Sequence, residues 1–116
     1  MKEEYVRNAK VVNVVDGDTI DVDVDLGFTI RTKQRVRLAR INTHEMNSVD
    51  PIHRDLAKRS KGLLEHLVLN LPVVIKTSKT DLYGRYVAEV LVGGVNVSDH
   101  MVEVGLAEVY AGGKVT

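Results

Sequence analysis

Ile20, Val22, Val24 and Leu26 alternate without a break with Asp21, Asp23 and Asp25. Wound into a helix, these residues would scatter aliphatic and acidic groups all round the axis. Extended, they sort cleanly into one dry and one wet face, so the stretch reads as a half-buried β-strand. The β-branched run Val11, Val12, Val14 and Val15 precedes it and stops at the turn Asp16-Gly17-Asp18. Gly27 turns the chain again, and the pattern predicts a third strand over residues 29–41, with Val36 and Leu38 on one face and Arg35, Arg37, Ala39 and Ile41 on the other. Three consecutive strands make a meander, the first half of a small barrel or sandwich. Asp21, Asp23 and Asp25 are answered by Arg31, Lys33, Arg35, Arg37 and Arg40 with no acid between them, as on neighbouring strands whose wet faces attract across a hairpin.

The second half is mixed. Residues 42–53 form a polar loop, and Asp50-Pro51 supplies a helix cap with proline in the first turn. Leu56, Ser60, Leu63, Leu64 and Leu67 follow at helical spacing opposite Lys58, Arg59, Lys61 and Glu65, and this amphipathic helix ends before Leu71-Pro72. Val73 to Thr77 is a short strand, Asp81 to Arg85 a turn, Tyr86 to Val92 another strand, and Gly93-Gly94 a tight hairpin. Ser98 is placed to cap a short second helix, with Val97 and Val102 as a hydrophobic staple and Gly105 as its stop. The expected class is mainly β with helices (α+β), one helix long and one short.

At 116 residues the chain has material for one domain, 1–116. No apolar run approaches the roughly 18 residues of a membrane span, and the charged start Met1-Lys2-Glu3-Glu4 lacks the apolar stretch of a secretory signal, so a cytoplasmic protein is expected. Without cysteine there are no disulfides and no thiolate metal sites. A formal net charge of zero argues against coating nucleic acid through bulk charge. His44, His53, His66 and His100 show no ligand spacing, and there is neither a nucleophile elbow nor a phosphate-binding glycine pattern. Asp21-x-Asp23-x-Asp25 resembles a calcium loop superficially. Its glycine comes one place late and Thr32 stands where a bidentate glutamate is needed, so that reading fails.

What remains is a set of acids and arginines. Asp18, beside a turn, can project from the sheet rim and join loop carbonyls around a hard cation. Arg37 on its strand and Arg85 beside Gly84 can clamp a phosphate bidentately. Glu45 is suited to act as a general base or a water-orienting acceptor, and Tyr83 to stack on a base or line a pocket. Carboxylates for a cation, an acid for a water and two guanidiniums for an anion are the parts of metal-assisted phosphodiester hydrolysis.

Three ordered motifs carry a resemblance: Val14-Val15-Asp16-Gly17-Asp18-Thr19-Ile20, Arg37-Leu38-Ala39-Arg40-Ile41-Asn42-Thr43-His44-Glu45, and Asp81-Leu82-Tyr83-Gly84-Arg85. Together with Val97 to Tyr110 they make the chain similar to the thermonuclease family of staphylococcal-nuclease-like domains, over roughly residues 9–110. The resemblance implies a five-stranded OB-type barrel carrying helices, and Ca²⁺ held by the Asp18 side chain and the Thr43 carbonyl. It implies Arg37 and Arg85 on the scissile phosphate and Glu45 on the attacking water. The activity implied is endonucleolytic cutting of DNA or RNA, with single-stranded or frayed regions preferred and 5′-hydroxyl and 3′-phosphate ends left. Asn42 stands where many members carry a second metal-binding aspartate, and its amide oxygen is expected to hold Ca²⁺ more weakly. His44 replaces a proline that would stiffen the turn before Glu45. The last helix of longer members is expected to be missing beyond Tyr110. Two other classes compete: a binding barrel whose site has decayed, and a scaffold that merely uses the fold. The retained acids and arginines argue against both.

Overall fold

The computed structural model describes residues 5–44, 46–80 and 86–109, with residues 78–80 described by their backbone alone. Glu45, Tyr83 and Arg85 therefore lie outside the described residues, as do the turn 81–85 and the tail from Tyr110. Among the described residues, eight strands and two helices run in the order β1 (Tyr5–Asp16), β2 (Thr19–Asp25), β3 (Arg31–Leu38), β4 (Ile41–Asn42), α1 (Pro51–Val68), β5 (Pro72–Thr80), β6 (Tyr86–Val92), β7 (Val95–Asn96), α2 (Val97–Glu103) and β8 (Glu108–Val109).

β1 joins the first meander to the returning strands. Its second half pairs with β2, Val11 opposite Val22, and its first half with β5, Arg7 opposite Ile75, both antiparallel. β6 then pairs with β5 on one side and, in parallel, with β3 on the other, Leu38 opposite Ala88, which closes five strands into a barrel. This is the OB-type architecture the resemblance implies, with α1 in the connection between the meander and the two returning strands. Inside, Val11, Val14, Ile20, Val22, Val36, Leu38 and Val90 are buried, joined by Leu64 and Val68 of α1 and by Val97 and Met101 of α2. Each such side chain contributes about 1.5–3 kcal/mol when fully removed from water. Among the described residues, no helix is long and apolar enough to cross a membrane.

Asp50 does cap α1, its carboxylate accepting from the Ile52 N–H at 2.9 Å, with Pro51 in the first turn. The buried stripe runs along Ala57, Ser60, Leu64 and Val68, flanked by partly buried Leu63 and Leu67. The Gly93-Gly94 hairpin is also as expected: both residues have positive φ, the conformation that a two-residue hairpin turn demands.

Expectations about two elements, the third strand and the second helix, are corrected, and β1 carries an irregularity of its own. The third strand is β3 (Arg31–Leu38), not 29–41: Arg40 adopts φ +66, and the chain turns there before β4. The alternation is broken by that turn, so Ile41 is buried in the core and does not share the outward face of Arg35 and Arg37. In β1, a register shift between Val11 and Asn13 puts Val12 on the surface while Val11 and Val14 stay inside. At α2 the cap is Asn96, whose side chain accepts from the Asp99 N–H at 3.2 Å. Ser98 lies one step inside the helix, fully buried, and Val97 is the first helical residue, so the proposed staple does not form.

Candidate functional site

The β1–β2 turn and the end of β3 meet because Thr19 is in register with Arg37. Arg37 Nη2 lies 3.5 Å from Asp18 Oδ2 and donates to Asn42 Oδ1, while Nη1 donates to the Leu38 carbonyl at 3.1 Å. The other Asp18 oxygen accepts from the Thr19 hydroxyl at 3.1 Å, and the Thr43 N–H reaches Oδ2 at 3.4 Å. Four of the predicted site residues, Asp18, Arg37, Asn42 and Thr43, are thus brought together. They line an open groove of about 1120 Å³ with Asp16, Arg35, His44 and Glu108.

Asp18 is more enclosed than a rim position suggests: its side chain is 15 % exposed and that of Arg37 14 %. Burial pushes the Asp18 carboxyl up to about 6, helped by hydrogen bonding and charge repulsion from Asp16, against the pull of Arg37 and Thr19. A desolvated anion at the mouth of a groove is a place where an added cation recovers lost solvation. The donors around Asp18 are carboxylate, amide and carbonyl oxygens, the set a hard ion such as Ca²⁺ takes; the chain has no thiolate, and the His44 imidazole that lines the groove is stacked on His53. No group of three His, Cys, Asp or Glu side chains is gathered among the described residues, so a metal here would depend on the Asn42 amide and on backbone oxygen. In chemical kind the residues fit the ion.

Several supports of this site were not legible from motif spacing. Gly17 is needed for closeness and not for an unusual φ: a Cβ built on it would stand 2.6 Å from Ser60 Cβ and 2.9 Å from Thr43 Oγ1. The Ser60 hydroxyl lies 2.7 Å from the Leu106 carbonyl and 3.0 Å from the Leu56 carbonyl and shares its one proton between them, fixing the helix against the chain that leads into β8. β8 pairs with β4, Asn42 opposite Glu108. Arg40, at its left-handed turn, holds Glu89 through two hydrogen bonds of 2.6 and 2.8 Å and Asp99 at 2.9 Å, tying the segment between Arg37 and Asn42 to β6 and α2. His44 stacks on His53 of α1 with ring centroids 4.8 Å apart. This contact supplies to the loop a restraint of a different kind from the missing proline ring. The Asp-Gly-Asp spacing was the one visible signal for Asp16, whose carboxylate accepts from the Asp18 N–H at 3.1 Å and shapes the turn.

The outer face of the hairpin behaves as its charge pattern predicts: Asp21 pairs with Arg35 at 2.8 Å and Asp23 with Arg31 at 3.0 Å.

A closed barrel of this topology, with an Asp/Arg/Asn groove at one end, defines an OB-type domain. The family described as staphylococcal nuclease homologue matches residues 35–115, and the chain belongs to it. The match opens at Arg35 and includes Arg37, Asn42 and Thr43, while Asp18 lies outside it. Among relatives, a protein of Escherichia coli O157:H7 named an uncharacterized endonuclease is 33% identical over 104 residues, covering 89% of this chain and 61% of its own length. Endonuclease YncB of Bacillus subtilis is 35% identical over 109 residues, 86% of this chain and 49% of that protein. Protein ParB of Escherichia coli is 32% identical over 110 residues, 87% and 56% respectively. The chain thus spans between about half and three fifths of the length of these relatives.

Proposed function

We propose that residues 1–116 form a single-domain, Ca²⁺-dependent endonuclease that hydrolyses phosphodiester bonds in DNA or RNA. In this reading it prefers single-stranded or frayed regions and leaves 5′-hydroxyl and 3′-phosphate ends. The observation that carries it is the convergence of Asp18, Arg37, Asn42 and Thr43 on one groove in a barrel of the nuclease family. Endonuclease names among its relatives support it further.

In this mechanism Asp18, the Asn42 amide oxygen and the Thr43 carbonyl would hold Ca²⁺. When bound, the ion neutralises the phosphodiester and stabilises the charge that builds on its oxygens. Arg37 is held by the Leu38 carbonyl through one nitrogen and by Asn42 and Asp18 through the other at the groove wall, so it would meet an incoming phosphate with little rotamer entropy left to lose. Arg85 supplies the second clamp, Glu45 acts on the attacking water, and Tyr83 packs against a base. Enclosure of Asp18 and Arg37 strengthens each of these electrostatic terms relative to bulk water.

Digestion of denatured DNA with and without Ca²⁺ tests the reading. Arg37→Ala and Glu45→Ala are expected to lower cutting by about 10²- to 10³-fold each. Asn42→Asp, which restores a carboxylate, is expected to lower the Ca²⁺ concentration required. Equal cutting by the parent and Arg37→Ala overturns the assignment. A parent that binds denatured DNA and leaves it intact at every Ca²⁺ concentration is a nucleic-acid-binding barrel instead.

A further inference from the structure

Among the described residues, the end of the barrel away from Asp18 is open. On β2 and β3, Thr19 and Arg37 mark one end and Val24 and Thr32 are paired toward the other. There, side chains of β1, β2, β3, β5 and β6 surround a depression of about 520 Å³, within the usual range of about 300–1,000 Å³ for small-molecule sites. Each lining residue continues the inward alternation of its strand: Tyr5 and Arg7 follow Ala9, and Gln34 and Thr32 follow Val36. These are positions at which a barrel closed by packing alone carries aliphatic side chains.

The chemistry of the lining is specific. Its floor is apolar, formed by Val24, Val36 and Ile75, and its rim carries two half-exposed tyrosines, Tyr5 and Tyr86. Gln34 donates to the Thr32 hydroxyl at 3.0 Å, which orients an amide at the rim. Among the described residues, no carboxylate lines the depression. Arg7 contacts the Tyr5 ring, at 6.0 Å from its centroid, and the Val6 carbonyl at 3.0 Å, and it has no carboxylate partner among the described residues. Arg31, Arg35 and Arg40 all have one. An apolar floor, aromatic walls, one oriented amide and a cation without an acid suit a ligand that is flat, has a hydrogen-bonding edge and bears negative charge, which is a nucleotide. β3 links the two places, since Thr32 at the mouth and Arg37 in the groove are five residues apart, about 16 Å along the strand.

We infer that the barrel mouth is a second nucleic-acid subsite, which seats one nucleotide of a single strand away from the bond positioned at Arg37. The inference rests on the nuclease reading for its substrate, and its test is independent of cutting. Binding of a fluorescein-labelled thymidine octanucleotide is followed by anisotropy without divalent cation, for the parent, Arg7→Met, Gln34→Leu, Gln34→Glu and Lys33→Met. Lys33 points outward on the same strand, so Lys33→Met loses the same charge as Arg7→Met without touching the mouth. Arg7→Met and both Gln34 variants are expected to weaken octanucleotide binding by about 5- to 20-fold, and Lys33→Met by less than about 3-fold. In Ca²⁺, cutting of a dinucleotide too short to reach the mouth should be equal in all five proteins. Gln34→Glu keeps the side chain's shape and serves if Gln34→Leu melts early. Equal weakening by Arg7→Met and Lys33→Met, with no effect at Gln34, overturns the proposal. So does a result in which thymidine monophosphate moves the amide resonances of the mouth while the variants bind the octanucleotide as the parent does, since the pocket then takes a free nucleotide and not the strand. A parent whose octanucleotide binding depends on Arg7 and Gln34 yet never cuts would keep this subsite and lose the nuclease assignment.

Discussion

Two aspartate–arginine pairs on the same hairpin differ in almost everything but their residue types. Asp21 and Arg35 meet at 2.8 Å on the outer face, with side chains 26 % and 54 % exposed. Asp18 and Arg37 meet at 3.5 Å at the strand end, with side chains about half as exposed as Asp21 or less. The hydrogen bond from Arg35 is the main cause holding the Asp21 carboxyl below its ordinary value, whereas burial drives Asp18 upward although an arginine stands beside it. Pairing alone does not set the character of a carboxylate; solvent does. One pair is a strap on the surface, and the other is a charge kept under tension where a phosphate and a cation would meet it.

The sharpest way to break this contrast is in activity. Arg37→Ala is expected to cost the full 10²- to 10³-fold given above, and Arg35→Ala, although Arg35 also lines the groove, less than about 5-fold when initial rates on denatured DNA are compared. Similar losses for both would mean that the groove senses only total positive charge.

Stability gives the next largest effect, with opposite signs. Below pH 3.8 Asp18 is neutral in the folded and the unfolded chain and costs nothing. As the pH rises to about 6 the unfolded chain releases this proton while the folded one retains it, so stability falls, by about 3 kcal/mol in total. Asp18→Asn should therefore stabilise the chain at pH 7 and flatten that limb in urea titrations without divalent cation. Asp21 contributes in the reverse sense: its stabilisation is present above its ordinary pKa and fades as the pH falls through the lowered one. Because the pair is exposed, Asp21→Asn should cost less than about 1 kcal/mol. An Asp18→Asn protein no more stable than its parent at pH 7 would remove the tension from the account.

The smallest effects concern packing behind the buried pair. Gly17→Ala should destabilise by about 1–3 kcal/mol, because Ser60 and Thr43 have to give way. Gly62→Ala, on the same helix as Ser60 but facing open space, should gain about 0.5–1 kcal/mol from helix propensity. Thermal melts of the two variants read the difference directly.

The sequence revealed what local pattern controls. Strict alternation marked β2, the acid and base blocks marked the paired hairpin face, Asp50-Pro51 marked the start of α1, and three motifs pointed to the barrel and to Asp18, Arg37, Asn42 and Thr43. Features that depend on tertiary context stayed hidden. Arg40 takes a left-handed conformation because Glu89 and Asp99, far along the chain, receive its guanidinium, and that turn moves Ile41 into the core. Ser98 is a good cap residue by type, but Asn96, two residues earlier, occupies the turn and takes the role. The His44–His53 stack joins a loop to a helix and leaves no trace in spacing. The first residues of β1 looked nondescript because their inward positions carry Tyr5 and Arg7 in place of aliphatics, the same irregularity that forms the mouth.

Space around Gly17 is shared between a turn, a helix and a loop, so it acts as a common allowance that three segments draw on. Any lineage that enlarges residue 17 must shrink its neighbour, and Gly17→Ala combined with Ser60→Gly is the simplest such exchange. Covariation of these two positions across distant homologues would be the imprint of that constraint, left by sterics and not by chemistry.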